Sequence, residues 1–148
     1  MKKIIVVPVG GLCNRLQVIL SAYQFGLEHD RSLTVIWMEN ESLNCPYDKL
    51  FSLPDDINIR SCKDKGIFHI YNKIQRKKIR DDVKLKVFDF NYMGTLGTPD
   101  SEWKIRQTQL YAADDKDMFI EACSRFYKLG DIRTIKWNSD IMENAGKI

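Results

Sequence analysis

The sequence predicts an α/β protein, a Rossmann-like three-layer domain with a mostly parallel sheet. Three features near the start of the chain support this prediction. The β-branched run at 4–9 is typical of a strand that is buried on both of its faces. After Gly10 and Gly11, apolar residues recur every three or four positions, as on one side of a helix. A second apolar run at 33–38 completes a strand–helix–strand unit within 2–51.

The rest of the chain is interpreted with the same two periodicities. In chain order, the predicted elements are a helical turn at 47–51, a strand at 57–59, an amphipathic helix based on Ile67, Ile70, Tyr71 and Ile74, a strand at 85–90, a loop at 91–101, a strand at 103–111 and a helix at 116–129. The segment 132–148 shows no periodicity and supplies no closing element. We therefore expect a single domain over 1–148 that forms half of a larger protein.

Composition and charge restrict the class of protein further. The chain has 148 residues and a net charge of +3, which gives no reason to expect nucleic acid as a partner. The four cysteines are scattered and only two histidines occur, a pattern that predicts neither a zinc site nor disulfides. No apolar run reaches the length of about 18 residues that a membrane span needs. We therefore expect a cytoplasmic protein without a membrane span or a metal site.

The residues with the strongest chemical signal follow the first predicted strand. Gly10 and Gly11 allow the backbone to approach a ligand closely, and the helix after them offers free N–H groups to an anion. Asn14 and Arg15 lie in the first helical turn, away from the apolar side, where they can face the carboxyl ends of the strands. Arg15 offers a planar fork to phosphate or carboxylate, and Asn14 can orient a hydroxyl group. The alternative is a plain tight turn with a solvated Arg15.

This segment meets neither of two familiar nucleotide-binding motifs. The run G-G-L-C-N-R does not meet the dinucleotide fingerprint G-x-G-x-x-G, although Glu39 stands where a ribose-binding acid is expected. The Walker pattern fails because the chain contains no G-K-[ST]. A small nicotinamide-dependent enzyme that uses Glu39 therefore remains as an alternative.

The run V-G-G-L-C-N-R-L at 9–16 resembles the G-G-L-G-N-[RQ]-L segment that opens fucosyltransferase-like glycosyltransferases of the two-domain GT-B type. The continuation is similar too, with a strand that reaches Trp37, a polar loop at 39–45 and the turn Y-D-K-L-F at 47–51. The resemblance covers roughly the first third of the chain. It implies that the chain is the N-terminal half of a GT-B architecture, with the C-terminal donor-binding domain absent.

The resemblance also implies an activity, the metal-independent inverting transfer of a sugar, typically fucose from GDP-fucose, to a glycan acceptor without a further cofactor. By position, Asn14 and Arg15 correspond to the polar pair next to the reaction centre and are the expected catalytic residues. The expected substrate-binding residues are Gly10, Gly11, Leu12, Trp37, Glu39 and Glu41. Glu39 and Glu41 are candidates for a general base. Trp37 is a candidate for stacking on a sugar ring, although core packing is the stronger expectation for it.

The chain departs from the family pattern at two places. Cys13 replaces the glycine before Asn14, and we expect its side chain to be a small packed residue. The basic H-x-R motif of the donor-binding domain has no equivalent, because the run His29-Asp30-Arg31 lies at a predicted helix end. The chain on its own is therefore expected to be incomplete and inactive as an enzyme.

A different class of protein fits the same residues. A non-catalytic binding module or partner subunit would present the turn at 10–15 and the basic run at 73–80 to another protein. The basic run has helical spacing and is followed by Asp81 and Asp82, which is more typical of a solvated helix face. An unpaired sheet edge would also allow a homo-oligomer.

Overall fold

The computed structural model describes residues 1–82, 84–91 and 99–146, with the side chains of all of these except 99–102. Its helices and strands are, in chain order, β1 (Lys2–Pro8), α1 (Leu12–Glu28), β2 (Arg31–Glu39), β3 (Phe51–Ser52), β4 (Ile57–Lys63), α2 (Ile67–Arg80), β5 (Leu85–Phe90), α3 (Pro99–Tyr111), β6 (Asp117–Ala122), β7 (Lys136–Trp137) and α4 (Ser139–Ala145). Short 3₁₀ turns occupy Tyr47–Lys49 and Ile132–Thr134.

Five of the strands form one parallel sheet in the order β4-β2-β1-β6-β5. The first strand of the chain therefore lies at the centre, between β2 and β6. A separate antiparallel ribbon joins β3 to β7, with Phe51 opposite Trp137. Helices flank the sheet, which confirms the predicted α/β class and its Rossmann-like three-layer arrangement.

The larger core lies on the face of the sheet that α1 and α3 cover. Alternate residues of a strand share a face, and the register places Ile4 and Val6 of β1 beside Leu33 and Val35 of β2. The fully buried side chains of this core include Ile4, Val6, Ile19, Phe25, Val35, Trp37, Leu110 and Ile120. These contacts hold α1 firmly against the centre of the sheet.

The opposite face carries a smaller core. Its buried members are Val7, Met38 and Phe119, and α2 packs Ile79 against them. Ile36 of β2 lies on the same face and is only half-buried. The two faces of the sheet are therefore covered unequally.

The predicted helix at 116–129 is wrong, because 117–122 forms the strand β6. Met118 and Ile120 point into the larger core while Phe119 points into the smaller one. A strand that is buried on both faces is a continuous apolar run, and periodicity alone does not distinguish such a run from a buried helix.

The predicted strand at 103–111 is also wrong, because this segment belongs to the helix α3. The buried residues of α3 include Arg106 and Leu110, which lie one helical turn apart. Since one member of this buried pair is an arginine, the apolar residues of the segment do not repeat with a helical period.

Several other expectations can be compared with the structure. The amphipathic helix is confirmed as α2, the strand at 85–90 as β5, and the strand at 57–59 as the first part of β4. The segment 132–148 does contain short elements, β7 and α4, that its sequence did not predict. The predicted loop at 91–101 lies mostly outside the described residues, and it is helical from Pro99. Of the helices in the described ranges, none combines the length and apolarity needed to cross a bilayer.

Candidate functional site

The candidate site lies at the carboxyl ends of the central strands. Beyond β1, the Val9 N–H donates to the Ala122 carbonyl at 2.9 Å, so β1 and β6 stay paired up to the turn. The strand order reverses at this place, because the chain continues from β1 outward to β2 and β4 while β6 lies on the other side. Ligands of open parallel sheets bind outside the carboxyl ends at such a reversal. The predicted residues Gly10 and Gly11 follow β1 here.

The two glycines have different roles in the turn. Gly10 has a φ of +87°, a conformation that residues with a side chain rarely adopt. A Cβ added to Gly10 would lie 3.1 Å from Nδ2 of Asn14, so the Asn14 amide rests over this glycine. A Cβ added to Gly11 would meet nothing within 4 Å. The space in front of Gly11 is therefore open to a ligand.

The N-terminus of α1 is not capped by a side chain. Gly11 occupies the N-cap position with extended backbone, and the first turn contains no acidic residue. The first N–H groups of a helix have no partner within the helix, and the helix dipole makes this end positive. Leu12 is half-buried there, whereas Cys13 and Asn14 are exposed. The arrangement suits an anion, and the expectation that Cys13 is packed is wrong because its thiol lies on the surface.

Arg15 lies beneath the turn and is fully buried. Its Nε donates to the Gly10 carbonyl at 2.7 Å, and its terminal nitrogens donate to the Met38 carbonyl at 2.5 Å and to Oδ1 of Asn40 at 2.9 Å. The guanidinium carbon lies 4.9 Å from the centroid of the Trp37 ring. Burial lowers the pKa of this guanidinium from its usual value, although arginine stays charged in proteins. Arg15 therefore ties the ends of β1 and β2 together instead of facing the cleft.

Trp37 belongs to the core. The side chain is fully buried, its Nε1 donates to the Cys45 carbonyl at 2.8 Å, and its ring packs edge-on against Phe51 with centroids 5.5 Å apart. This position agrees with the expectation of core packing. The ring is not accessible for stacking on a sugar.

An open cleft of about 650 Å³ lies beside the turn, between the loops that follow β2 and β4. Its lining residues are Asn40, Glu41, Ser42, Asp64, Lys65, Gly66 and His69. Of the two predicted carboxylates, Glu41 is exposed in this cleft, whereas Glu39 is half-buried at the end of β2. The Glu39 carbonyl accepts the Asp64 N–H at 2.9 Å, which fixes the two loops to each other. Arg15 donates hydrogen bonds both to the Gly10 carbonyl and to Asn40, so it connects the glycine turn to the cleft.

One carboxylate in the cleft is held in a defined orientation. The Asp64 side chain is only 8% exposed, accepts from Nδ2 of Asn72 at 3.2 Å and lies 3.2 Å from Nδ1 of His69. Asn72 also donates to the Lys63 carbonyl at 2.8 Å. A carboxylate placed in this way has acceptor capacity left for the hydroxyl of a ligand.

The sequence interpretation missed this group. Asp64 follows β4, while His69 and Asn72 lie five and eight positions later in α2, so they become neighbours only where the helix packs on the end of the strand. The one signal available was that Asp64 directly follows a strand that belongs to the parallel sheet, since such positions collect at the carboxyl edge.

The other side of the turn is formed by the ends of β5 and β6. Arg106 of α3 donates to Oγ of Ser124 at 2.7 Å and to the Arg125 carbonyl at 3.2 Å, which fixes the segment after β6. Asn91 follows β5, and its buried Oδ1 accepts no hydrogen bond from the described residues. Cys123 Sγ lies 3.5 Å from the Asn91 carbonyl oxygen. This side therefore contributes a second set of polar groups to the same edge.

The groups present suit hydroxyls and anions. They are backbone N–H groups, the amide of Asn14 and the carboxylates of Glu41 and Asp64. Within the ranges that the structure describes, no three His, Cys, Asp or Glu side chains are grouped so that they could hold a metal ion.

Comparison with known proteins adds no relative. No family model matches this chain, and neither a curated protein nor a solved structure is significantly similar to it. The fold and site define an α/β protein with a parallel sheet and an open polar site at its carboxyl edge. The resemblance of the run at 9–16 to glycosyltransferases stays a prediction.

Proposed function

We propose that this chain is the N-terminal domain of a fucosyltransferase-like glycosyltransferase that uses a nucleotide-sugar donor such as GDP-fucose. One observation carries the proposal. The uncapped N-terminus of α1 lies next to Gly10 and Gly11, with the exposed Asn14 beside them. The run that forms this feature is the same V-G-G-L-C-N-R-L on which the resemblance depends.

The glycine turn is the donor side of the proposed site. The N–H groups at the start of α1 face the diphosphate of the donor, and the absence of a side chain at Gly11 lets a phosphate oxygen approach them. The Asn14 amide donates to the same group or to a sugar hydroxyl. As the glycosidic bond to the diphosphate breaks, the leaving group gains negative charge that these fixed dipoles stabilise.

The cleft is the acceptor side of the proposed site. An acceptor hydroxyl oxygen forms the new bond to the anomeric carbon from the face opposite the leaving group, so the configuration inverts. The electron pair of the broken bond leaves with the nucleoside diphosphate, and the hydroxyl proton passes to the carboxylate of Glu41. Asp64 accepts from a second hydroxyl and orients the acceptor.

Arg15 acts as a positioning residue in this proposal, not by direct contact with phosphate. Its three hydrogen bonds fix the Gly10 carbonyl, the end of β2 and Asn40. Both sides of the site are therefore set by one buried guanidinium. A lysine could not reproduce this, because it lacks the planar fork.

The proposal is tested by titrating the chain with GDP-fucose while recording backbone amide NMR spectra. We expect shifts at the amides of 10–13 and an affinity of millimolar order, because the family draws most donor contacts from its second domain. Two variants of Gly11 form a matched pair. Gly11→Asp places a carboxylate at the N-cap, where it binds the helix N–H groups and competes with the diphosphate. Gly11→Ala adds one methyl group in open space and should bind as before.

Three results would contradict the proposal in different ways. Absence of shifts at 10–13, or equal shifts in the Gly11→Asp variant, would exclude the glycine turn as the donor site. Micromolar affinity of the chain alone would show that the donor site is already complete. Shifts with NADH that disappear in Glu39→Ala would favour the nicotinamide-dependent enzyme instead.

A further inference from the structure

Helix α2 is fixed to the sheet by polar residues. Arg76 and Arg80 contact the buried carboxylate of Glu121 on β6 at 3.3 and 2.6 Å. Asn72 bonds the end of β4 at 2.8 Å, and Ile79 packs on the smaller core. A helix of a soluble domain ordinarily turns its apolar side to the core. The opposite orientation of α2 leaves an apolar side in solvent.

Four residues form this apolar side, which we call the α2 stripe: Ile67, Ile70, Tyr71 and Ile74. They occupy positions i, i+3, i+4 and i+7, so they share one side of the helix. Their exposed fractions range from 51% for Ile74 to 77% for Ile67, and the neighbouring Phe68 is 54% exposed. Contiguous exposed apolar surface marks an interaction site more often than single exposed residues do.

Lysines adjoin the α2 stripe. Lys73, Lys77 and Lys78 are exposed and lie within one helical turn of Ile70 or Ile74. The sequence of α2 contains no aspartate or glutamate. Lysine can lay its alkyl stem along apolar surface while its ammonium group stays in a polar layer.

We propose that α2 is an interfacial helix that attaches this protein to an anionic lipid surface. The α2 stripe enters the boundary between headgroups and acyl chains, and the lysines contact lipid phosphates. A helix with isoleucine and aromatic residues on one side and Lys and Arg around them is the type that lies in the plane of a membrane surface. The inference is independent of the proposed enzymatic function.

A groove beside the α2 stripe fits a headgroup. It has a volume of about 570 Å³, and its lining residues are His69, Lys73, Ile74, Arg76, Lys77, Arg80 and Asp81. Four of these residues are Lys or Arg and one, Asp81, is acidic, while Ile74 belongs to both the groove and the α2 stripe. A lipid phosphate in the groove would therefore have its acyl chains over the apolar residues.

A second copy of the chain is a poorer occupant of this surface. A helix of 14 residues is about 21 Å long and about 10 Å wide, which gives a footprint on the order of 200 Å². A stable protein interface needs about 800 Å² from each partner. Two copies would also bring two sets of lysines together, and these would repel each other.

The inference is tested by sedimentation of the chain with vesicles of phosphatidylcholine alone and of phosphatidylcholine mixed with phosphatidylglycerol. We expect binding to the mixed vesicles that weakens with added salt. Lys73→Glu with Lys77→Glu should weaken it by about fivefold or more for each lysine. Ile70→Asp with Ile74→Asp should weaken it by about tenfold or more. All four positions are exposed, so circular dichroism should show that both variants remain folded.

Matched controls separate a local effect from a general one. Lys49→Glu with Lys136→Glu changes the net charge equally at exposed sites outside α2, and Ile132→Asp alters an exposed isoleucine on another segment. Both control variants should bind like the unaltered chain. Equal losses in the controls, no preference for the anionic vesicles, or a dimer in analytical ultracentrifugation that Ile70→Asp with Ile74→Asp disrupts would each overturn the inference.

Discussion

Helices α1 and α2 each connect two strands of the same parallel sheet, but they meet that sheet in opposite ways. Nine of the 17 residues of α1 are buried, whereas none of the 14 residues of α2 is. Both segments show an apolar side in sequence. The difference teaches that amphipathic spacing predicts a helix but not which side of it faces the core. For α2, the side that faces the sheet carries Arg76 and Arg80, which pair with the buried Glu121.

Close backbone contact explains why α1 packs tightly against the sheet. A Cβ at Gly26 would lie 2.9 Å from the Arg31 carbonyl oxygen, so the end of α1 approaches the start of β2 as closely as a glycine permits. The preceding residue, Phe25, stacks on His29 at 4.2 Å and meets Tyr127 edge-on at 5.2 Å. The end of α1 is thus held by both its backbone and its aromatic contacts.

The largest effect should come from removing a buried side chain of α1. Phe25→Ala should lower the free energy of unfolding by about 3–5 kcal/mol, because the lost ring leaves a cavity in the larger core. Urea denaturation measures this. Ile70→Ala on α2 is the matched control and should change stability by less than about 0.5 kcal/mol, since its side chain is exposed. Similar losses in both variants would remove the contrast between the two helices.

A smaller effect is expected from weakening the attachment of α2. Glu121→Gln should cost about 1–2 kcal/mol, because the two arginines lose their charged partner but can still reach water. Hydrogen exchange followed by mass spectrometry should show that the substitution accelerates exchange in α2 and has little effect on α1. Asp89→Asn removes the same charge from an exposed neighbour of Arg80 and should leave α2 unchanged. Uniform acceleration over both helices would indicate general destabilisation instead.

The smallest effect is confined to acid and concerns the end of α1. Hydrogen bonds from Lys128 and Tyr127 lower the pKa of Glu28 from 4.5 to about 2. A carboxyl whose pKa is lower in the folded state stabilises the protein above its unfolded pKa. This stabilisation should be lost as the pH falls from about 4.5 towards about 2.

Thermal unfolding at stepped pH values checks this expectation. The Glu28→Gln variant should show a shallower loss of melting temperature through that pH window than the unaltered chain. Glu143→Gln, on the exposed side of α4, should follow the unaltered chain. Parallel curves for all three proteins would exclude Glu28 as a source of acid sensitivity.

The first third of the fold could be predicted from sequence because its signals are local. The β-branched run of β1, the apolar spacing of α1 and the apolar run of β2 each lie within one element. The segments 103–111 and 116–129 could not, because β6 is buried on both faces and α3 turns an arginine inward. The burial of β6 and of Arg106 becomes apparent only in the assembled sheet.

The part of the candidate site that has a local sequence signal could also be predicted. Gly10, Gly11 and Asn14 form a continuous run whose turn chemistry is visible in the sequence, and they lie at the expected edge. The burial of Arg15 could not be predicted, because its acceptors at Met38 and Asn40 are far along the chain. Asp64 and Asn72 were missed since two elements must meet before they become neighbours.

The short ribbon of β3 and β7 has a consequence for the order of folding. It pairs Phe51, near the end of the first third, with Trp137, which lies close to the end of the described chain. Closing a loop of that length costs entropy that local contacts must first offset. The β1–β6 pair of the sheet closes a longer loop, but the ribbon has only two residues in each strand and so the fewest contacts to offset the cost. We therefore expect the ribbon to form after the five-stranded sheet. Until that step, the Phe51 ring would pack against Trp37 of β2 but lack its second aromatic neighbour, Trp137.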